Sequence, residues 1–258
     1  MDEDFWNVDD DTKRDTTIGV GAEKGILVQV AYEKMEYGAI LLCGDGEGSE
    51  DGKVGEGFEH FPLLLTRMPA SLRETFMEFL ATTFDARVAV LRVSRQSLTK
   101  SFEKYISDCC TGEDEETLSL VESSWALRKV IKDVRVLIGF DFPDGNSSLQ
   151  TIEFSIEQED IPRLVHKGKK IGNKESPFIN ALSSFVKAHL ALDMGHERVS
   201  VLRIACGPFV LGSEGRVKFT APSAVDEKNV QRRATWSLVD DLVGIARGGK
   251  LSVGNDVP

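Results

Sequence analysis

The period of the hydrophobic pattern changes repeatedly along this chain, and each change marks an element. Gly25–Tyr32 (GILVQVAY) and Tyr37–Cys43 (YGAILLC) read as two strands joined by a turn at Lys34-Met35-Glu36. Phe61-Pro62-Leu63-Leu64-Leu65-Thr66 is a further apolar run of strand length, closed by Pro69. Ser71-Leu72-Arg73-Glu74 then has the form of a capping box: the Ser71 hydroxyl accepts from the Glu74 N–H, and the Glu74 carboxylate accepts from the Ser71 N–H. Leu72, Phe76, Phe79, Leu80 and Thr83 follow at helical spacing and predict one buried stripe. Arg87–Val93 (RVAVLRV) alternates as a strand. Strand, helix and strand with joints this short predict a βαβ unit, whose crossover is right-handed.

The pattern then turns helical. Ser94 is placed to cap a helix carrying Leu98, Phe102, Tyr105 and Ile106 on one face. Glu113–Glu116 starts another, with Leu118, Leu120, Val121 and Trp125 as its apolar positions, since acids at a helix N-terminus complement the dipole. A hairpin follows: Val134, Val136, Ile138, Phe140 and Phe142 alternate, Pro143-Asp144-Gly145-Asn146 turns, and Ile152, Phe154 and Ile156 alternate on the return. Ser176-Pro177 opens a helix with Phe178, Leu182, Phe185 and His189 on one face. Arg198–Cys206 is a strand, and Phe209–Leu211 with Arg216–Phe219 flank Gly212-Ser213-Glu214-Gly215 as a second hairpin. A last helix over 227–247 carries Val230, Ala234, Leu238, Leu242 and Ile245 and stops at Gly248-Gly249. The class predicted is α/β (α+β): a mixed, largely antiparallel sheet with one βαβ unit and helices on its face.

Charge changes the picture at one end. Residues 1–60 carry 16 acidic and 5 basic side chains, which is the whole net charge of −11, and 61–258 carry 26 of each. The organisation expected is an acidic, disordered 1–22, a single domain over 23–250, and a mobile Gly/acidic loop over 44–57 whose composition cannot offset the entropy of ordering. The acidic N-terminus, Met1-Asp2-Glu3-Asp4, is the opposite of a targeting peptide. No apolar run approaches the roughly 20 residues of a membrane span, and no membrane is expected among the partners. Cys43, Cys109, Cys110 and Cys206 have no framework spacing, so free thiols in a reducing compartment are expected.

Motifs for catalysis are weak. Gly19–Gly25 precedes a strand rather than following one and lacks the Gly-Lys-Ser/Thr ending of a phosphate loop. Asp45, Glu47, Ser49, Asp51 and Glu56 have calcium-loop offsets, but Glu50 stands where the sharp turn needs Gly. His60, His166, His189 and His196 are scattered, and His189 on its apolar helix face reads as a core residue. Asp141 and Asp144 flank a turn, where Asp serves backbone bonding. No catalytic residue, metal ligand or cofactor site is nominated, and an enzyme would need a site assembled from residues far apart in sequence. The one basic cluster is Arg163, His166, Lys167, Lys169, Lys170 and Lys174, read either as a solvated loop or as a DNA contact, with Arg163, Lys167, Lys169, Lys170 and Lys174 on the phosphates.

The order of pieces carries a resemblance. FPLLLTRMPASLRETFMEFLATTFDARVAVLRV, LQTIEFSIEQEDIPRLVHKG and SPFINALSSFVKAHLALDMGHERVSVLRIACGPFVLGSEGRVKF, together spanning 60–220, resemble the central unit, later hairpin, helices and terminal strands of fungal CENP-L family proteins of the inner kinetochore. The C-terminal domain of the related CENP-N shares that architecture. The resemblance implies a curved sheet and a non-enzymatic scaffold in the nucleus, at the centromere. It implies pairing with a CENP-N-like protein, or with a second copy, near centromeric DNA and its nucleosome. In that family pairing uses strands near the C-terminus, which makes Phe209, Val210, Leu211, Val217 and Phe219 the candidate partner-binding residues.

Overall fold

A computed structural model describes residues 25–32, 35–43, 60–111, 118–142, 149–170, 176–220 and 225–248. The acidic N-terminus, the Gly19–Gly25 turn before its last residue, the 44–57 loop with its calcium-like offsets, Asp144 and Lys174 lie outside them. By packing, the described residues divide into two compact units, one built on those of 91–239 and the other on those of 25–90 and 240–248.

The smaller unit holds a three-stranded antiparallel sheet in the order β1-β2-β3: β1 Gly25–Tyr32, β2 Met35–Leu42 and β3 Leu63–Arg67. Gly25 faces Leu42 across β1–β2, and Leu42 faces Leu63 across β2–β3. Central β2 buries Gly38 and Ala39. Helix α1, Ala70–Phe84, follows β3. Two expectations fail here. The helix begins before Ser71, because Pro69 occupies the cap position and its carbonyl already accepts from Arg73 at 2.9 Å; no side chain caps it. Ser71 is thus inside the first turn and cannot act as cap. The predicted stripe is also only partly covered: Leu80 is buried, Leu72 and Phe76 are half-buried, and Phe79 and Thr83 are exposed.

The βαβ unit does not form. Asp85 ends α1 in the left-handed region (φ 52°), and residues 85–94 belong to no strand. Every strand pairing described is antiparallel, so the sheets contain no parallel crossover. Within the larger unit, the end of this segment is extended and anchored on a turn: Val93 N–H donates to the Ser213 carbonyl at 3.0 Å, and Val93 is buried. Alternation reports one buried side of an extended backbone; a hairpin tip satisfies that as well as a neighbouring strand does.

The larger unit is built on a five-stranded antiparallel sheet in the order β5-β4-β6-β7-β8. Its strands are β4 Asp133–Phe140, β5 Thr151–Glu157, β6 Val199–Cys206, β7 Phe209–Gly212 and β8 Val217–Phe219. Alternation is read correctly here. Phe154, Val136, Ile204, Leu211 and Val217 align across all five strands on one face. A register shift between Leu137 and Ile138 marks a bulge in β4–β6, and a Cβ at Gly139 there would lie 2.6 Å from Leu202 Cδ1, so that side chain would have to shift.

Four helices of this unit come from the sequence between and beside those strands: α2 Arg95–Cys109, α3 Leu120–Val130, α4 Asp160–Lys170 and α5 Pro177–Leu190. Ser94 caps α2 as predicted, accepting from the Ser97 N–H, and Leu98, Phe102, Tyr105 and Ile106 are buried. Phe102 meets Phe178 edge-on at 5.3 Å, and Tyr105 meets Phe209 at 4.8 Å, so α2, α5 and β7 share an aromatic core. Helix α6, Val225–Gly248, buries Ala234, Leu238 and Leu242 of its predicted stripe. The overall class is α+β, as the sequence implied; among the described residues there are six helices and two open antiparallel sheets in place of the one mixed sheet expected.

Candidate interaction surfaces

The candidate partner residues sit at one end of the five-stranded sheet but in different environments. Phe209 and Leu211 are buried under the helices, while Val210, Val217 and Phe219 are half-buried. Among the described residues strand β8 is the sheet's last strand, paired with β7 through Phe209↔Phe219, Val210↔Lys218 and Leu211↔Val217. The direction of its backbone follows from two bonds. The Arg216 carbonyl accepts from Gly212 N–H and Thr220 N–H donates to Pro208, so even-numbered residues turn their polar groups toward β7. Successive residues of a strand turn theirs to opposite sides, so Val217 presents its N–H and C=O to the open edge. Gly215, at φ 76°, makes the tight turn into β8, and a Cβ there would lie 2.3 Å from the Leu91 carbonyl oxygen.

The basic cluster is helical rather than a loop. Arg163, His166, Lys167, Lys169 and Lys170 lie exposed on α4, where the cations near its C-terminus complement the helix dipole. Arg163 pairs with Asp160 at 3.1 Å. Gly168, on the opposite side of α4, packs so closely on α5 that a Cβ would lie 1.8 Å from the Pro177 carbonyl oxygen.

Sequence reading misplaced two apolar sets. In α3 the capping box that was expected in α1 is formed by Ser119 and Glu122: the Ser119 N–H donates to the Glu122 carboxylate at 3.0 Å and the Glu122 N–H to the Ser119 hydroxyl at 3.4 Å. Starting there, α3 buries Ser123, Leu127 and Val130 and leaves Leu120, Val121 and Trp125 exposed. The box was visible in Ser119-Leu120-Val121-Glu122 and would have set the phase of the helix. His189 is not a core residue either: it lies exposed, stacked on Phe185 at 4.1 Å with its Nδ1–H donating to the Phe185 carbonyl at 2.9 Å.

Glu103 had no sequence signal. It is buried on α2 beneath the start of α5, where Ser176 supplies no side-chain cap, and its Oε1 accepts from the Ile179 N–H at 2.6 Å. A carboxylate from another helix thus does the capping. Burial pushes its pKa up to about 7, outweighing the Ile179 and Phe178 N–H groups that favour the charge. The free thiols of Cys109, Cys110 and Cys206 are buried, and burial raises all three, Cys206 to about 12, which leaves them poor nucleophiles. Among the described residues no group of three or more His, Cys, Asp and Glu side chains could hold a metal ion, and no helix is long and apolar enough to cross a membrane.

The fold and its surfaces define the class first: among the described residues, an α+β protein with two open antiparallel sheets, a short terminal strand and exposed apolar helix faces. Residues 2–247 match the family of Centromere protein L, and the chain belongs to this CENP-L family of structural kinetochore proteins, which serve chromosome segregation at the centromere. No individual curated protein matches it.

Proposed function

We propose that this chain is a non-enzymatic scaffold subunit of the inner kinetochore in the nucleus, pairing with a CENP-N-like protein through the β8 edge. The observation that carries the reading is the outward-facing N–H and C=O of Val217 on a three-residue edge strand. Such an edge is a template for strand addition, with main-chain bonds giving affinity and the half-buried Val217 and Phe219 side chains extending the core face across the junction. Proline at Val217 tests it. Val217→Pro removes a donor that points away from β7, whereas Lys218→Pro removes one that points toward it. The expected outcome is loss of co-elution with the CENP-N-like partner in Val217→Pro while the melting temperature barely changes. Retained pairing in a folded Val217→Pro protein rules this edge out. The same edge can accept a second copy, and sedimentation of the chain alone distinguishes a homodimer from a heterodimer.

A second reading has its own observation. Arg163, Lys167, Lys169 and Lys170 project from one helix, an arrangement that suits non-specific contact with centromeric DNA phosphates, with Lys174 following in sequence. Replacing Lys167, Lys169 and Lys170 by Gln is expected to weaken DNA retention and reduce its salt dependence. An unchanged salt slope removes this reading.

A further inference from the structure

The start of α5 carries a hydroxyl that the helix does not use. Ser176 stands at the cap position, ahead of Pro177 in the first turn, yet its side chain makes no cap hydrogen bond. The N–H groups that a cap serine takes are already engaged. Glu103 Oε1 accepts from the Ile179 N–H at 2.6 Å, and the Phe178 N–H bonds the same carboxylate. Ser176-Pro177 is also the only Ser-Pro or Thr-Pro pair in the whole sequence. A hydroxyl directly before proline is the minimal substrate of a proline-directed kinase.

The contact between α4 and α5 places this serine beside the basic helix. A Cβ on Gly168 would lie 1.8 Å from the Pro177 carbonyl oxygen and 2.7 Å from Pro177 Cα. Lys167 and Lys169 flank Gly168, and Ser176 adjoins Pro177. Since consecutive Cα atoms are about 3.8 Å apart, the Ser176 Cα lies within about 12 Å of both lysine Cα atoms. Both lysines are exposed. A side chain extended across that span brings the charges within a Debye length, about 8 Å in physiological salt.

We propose that Ser176 is a phosphorylation site for a proline-directed serine/threonine kinase, and that its phosphate releases α4 from DNA. The second half rests on the DNA reading of α4. In the modification Ser176 Oγ attacks the γ-phosphorus of ATP, the bond from that phosphorus to its bridging oxygen breaks, ADP leaves and the hydroxyl proton is released. The kinase reaches the serine by fraying of the first turn, as helix ends do. Ser176 and Pro177 are half-buried, Pro177 has no N–H to lose, and Phe178 is the first fully covered residue. An ordinary cap serine would lose its helix-starting bond on modification; here Glu103 keeps that bond. The phosphate brings a charge of about −1.5 to −2 to the positive end of α5 and offsets about two of the α4 cations. Two anions at one helix N-terminus repel, and Glu103, with its pKa already raised to about 7, responds by holding its proton.

The test treats the full chain with a proline-directed serine/threonine kinase and ATP, maps the phosphate by mass spectrometry, and measures retention on duplex DNA against salt. One phosphate is expected on Ser176 and none in Ser176→Ala, whose melting temperature stays that of the wild type. The phosphoprotein is expected to bind DNA about tenfold or more weakly, with a salt slope smaller by about 2, while kinase-treated Ser176→Ala binds unchanged. No incorporation at Ser176 in the folded chain overturns the proposal whatever the DNA result. Incorporation that leaves DNA retention unchanged, where replacing Lys167, Lys169 and Lys170 by Gln reduces it, overturns the switch. If the lysine variant retains DNA as the wild type does, the DNA reading of α4 fails and the switch falls with it, whereas the mapped phosphate still reads the site on its own.

Discussion

Glu103 shows what a single buried carboxyl does to the pH dependence of a fold. Its pKa rises from the usual 4.5 to about 7, with burial as the largest cause. An acid whose folded pKa is raised holds its proton more tightly in the native state. Its contribution is fully present below pH 4.5, declines as the pH rises, and is gone above about 7. The size of that decline is about 3 kcal/mol at 1.36 kcal/mol per pKa unit. Glu103→Gln keeps an oxygen to accept from Ile179 but has no charge to desolvate. Chemical denaturation between pH 5 and 8.5 is expected to show the wild type losing stability relative to Glu103→Gln as the pH rises, with the variant the more stable at the alkaline end. Parallel curves would mean that the helix N-terminus holds the carboxylate better than burial disfavours it. The residue was illegible in the sequence because Glu at a core position of a helix looks like a solvated one until the neighbouring helix is placed against it.

At the scale of elements, α4 and α5 are joined by a contact that only glycine permits. The Cβ of an alanine at 168 would overlap the backbone of Pro177, at 1.8 Å from its carbonyl oxygen, and backbone cannot swing away as a side-chain tip can. Alanine favours a helix by about 1 kcal/mol over glycine, so the expected sign in an exposed helix would be stabilising. Here overpacking reverses it: Gly168→Ala is expected to destabilise the protein by about 2–3 kcal/mol, read as a lower denaturation midpoint. A stabilised variant would show that the two helices separate freely. Elements such as β4, β5 and β6 were legible because their alternation is set by one buried face. The helices were legible as helices, but α1 and α3 were assigned the wrong start, and for α3 the wrong face followed. Propensity and spacing locate a turn of helix, whereas the neighbour that covers one side of it is a matter of tertiary packing. The missing βαβ unit has the same origin: Arg87–Val93 has strand periodicity, but its Val93 N–H goes to a hairpin turn.

Across the whole molecule, the two units differ in how much apolar surface they cover. The larger one interleaves β4, β6 and β7 with α2 and α5 around Phe102, Tyr105, Phe178 and Phe209, all at most 1 % exposed. In the smaller one, neighbouring residues Ile26 and Leu27 of β1 point to opposite faces of the sheet and are 45 and 42 % exposed, and Phe79 and Phe84 of α1 meet edge to face in the open. At about 25 cal/mol per Å² of apolar area removed from water, half-covered side chains contribute about half of what a core residue does. Local opening of β1 and α1 is therefore much less costly than global unfolding. In native-state hydrogen exchange the amides of β4 and β6 are expected to exchange last, at the rate of global unfolding. Those of β1, β2 and α1 are expected to exchange at least about tenfold faster, with little dependence on low denaturant. A scaffold whose apolar faces are left for partners should also lose that contrast on assembly. If the smaller unit's amides slow in the presence of the CENP-N-like partner while those of β4 stay constant, the partner covers that unit as well as the β8 edge. If both units already exchange together in the isolated chain, the smaller one is stabilised by contacts that its exposed leucine, isoleucine and phenylalanine side chains do not reveal.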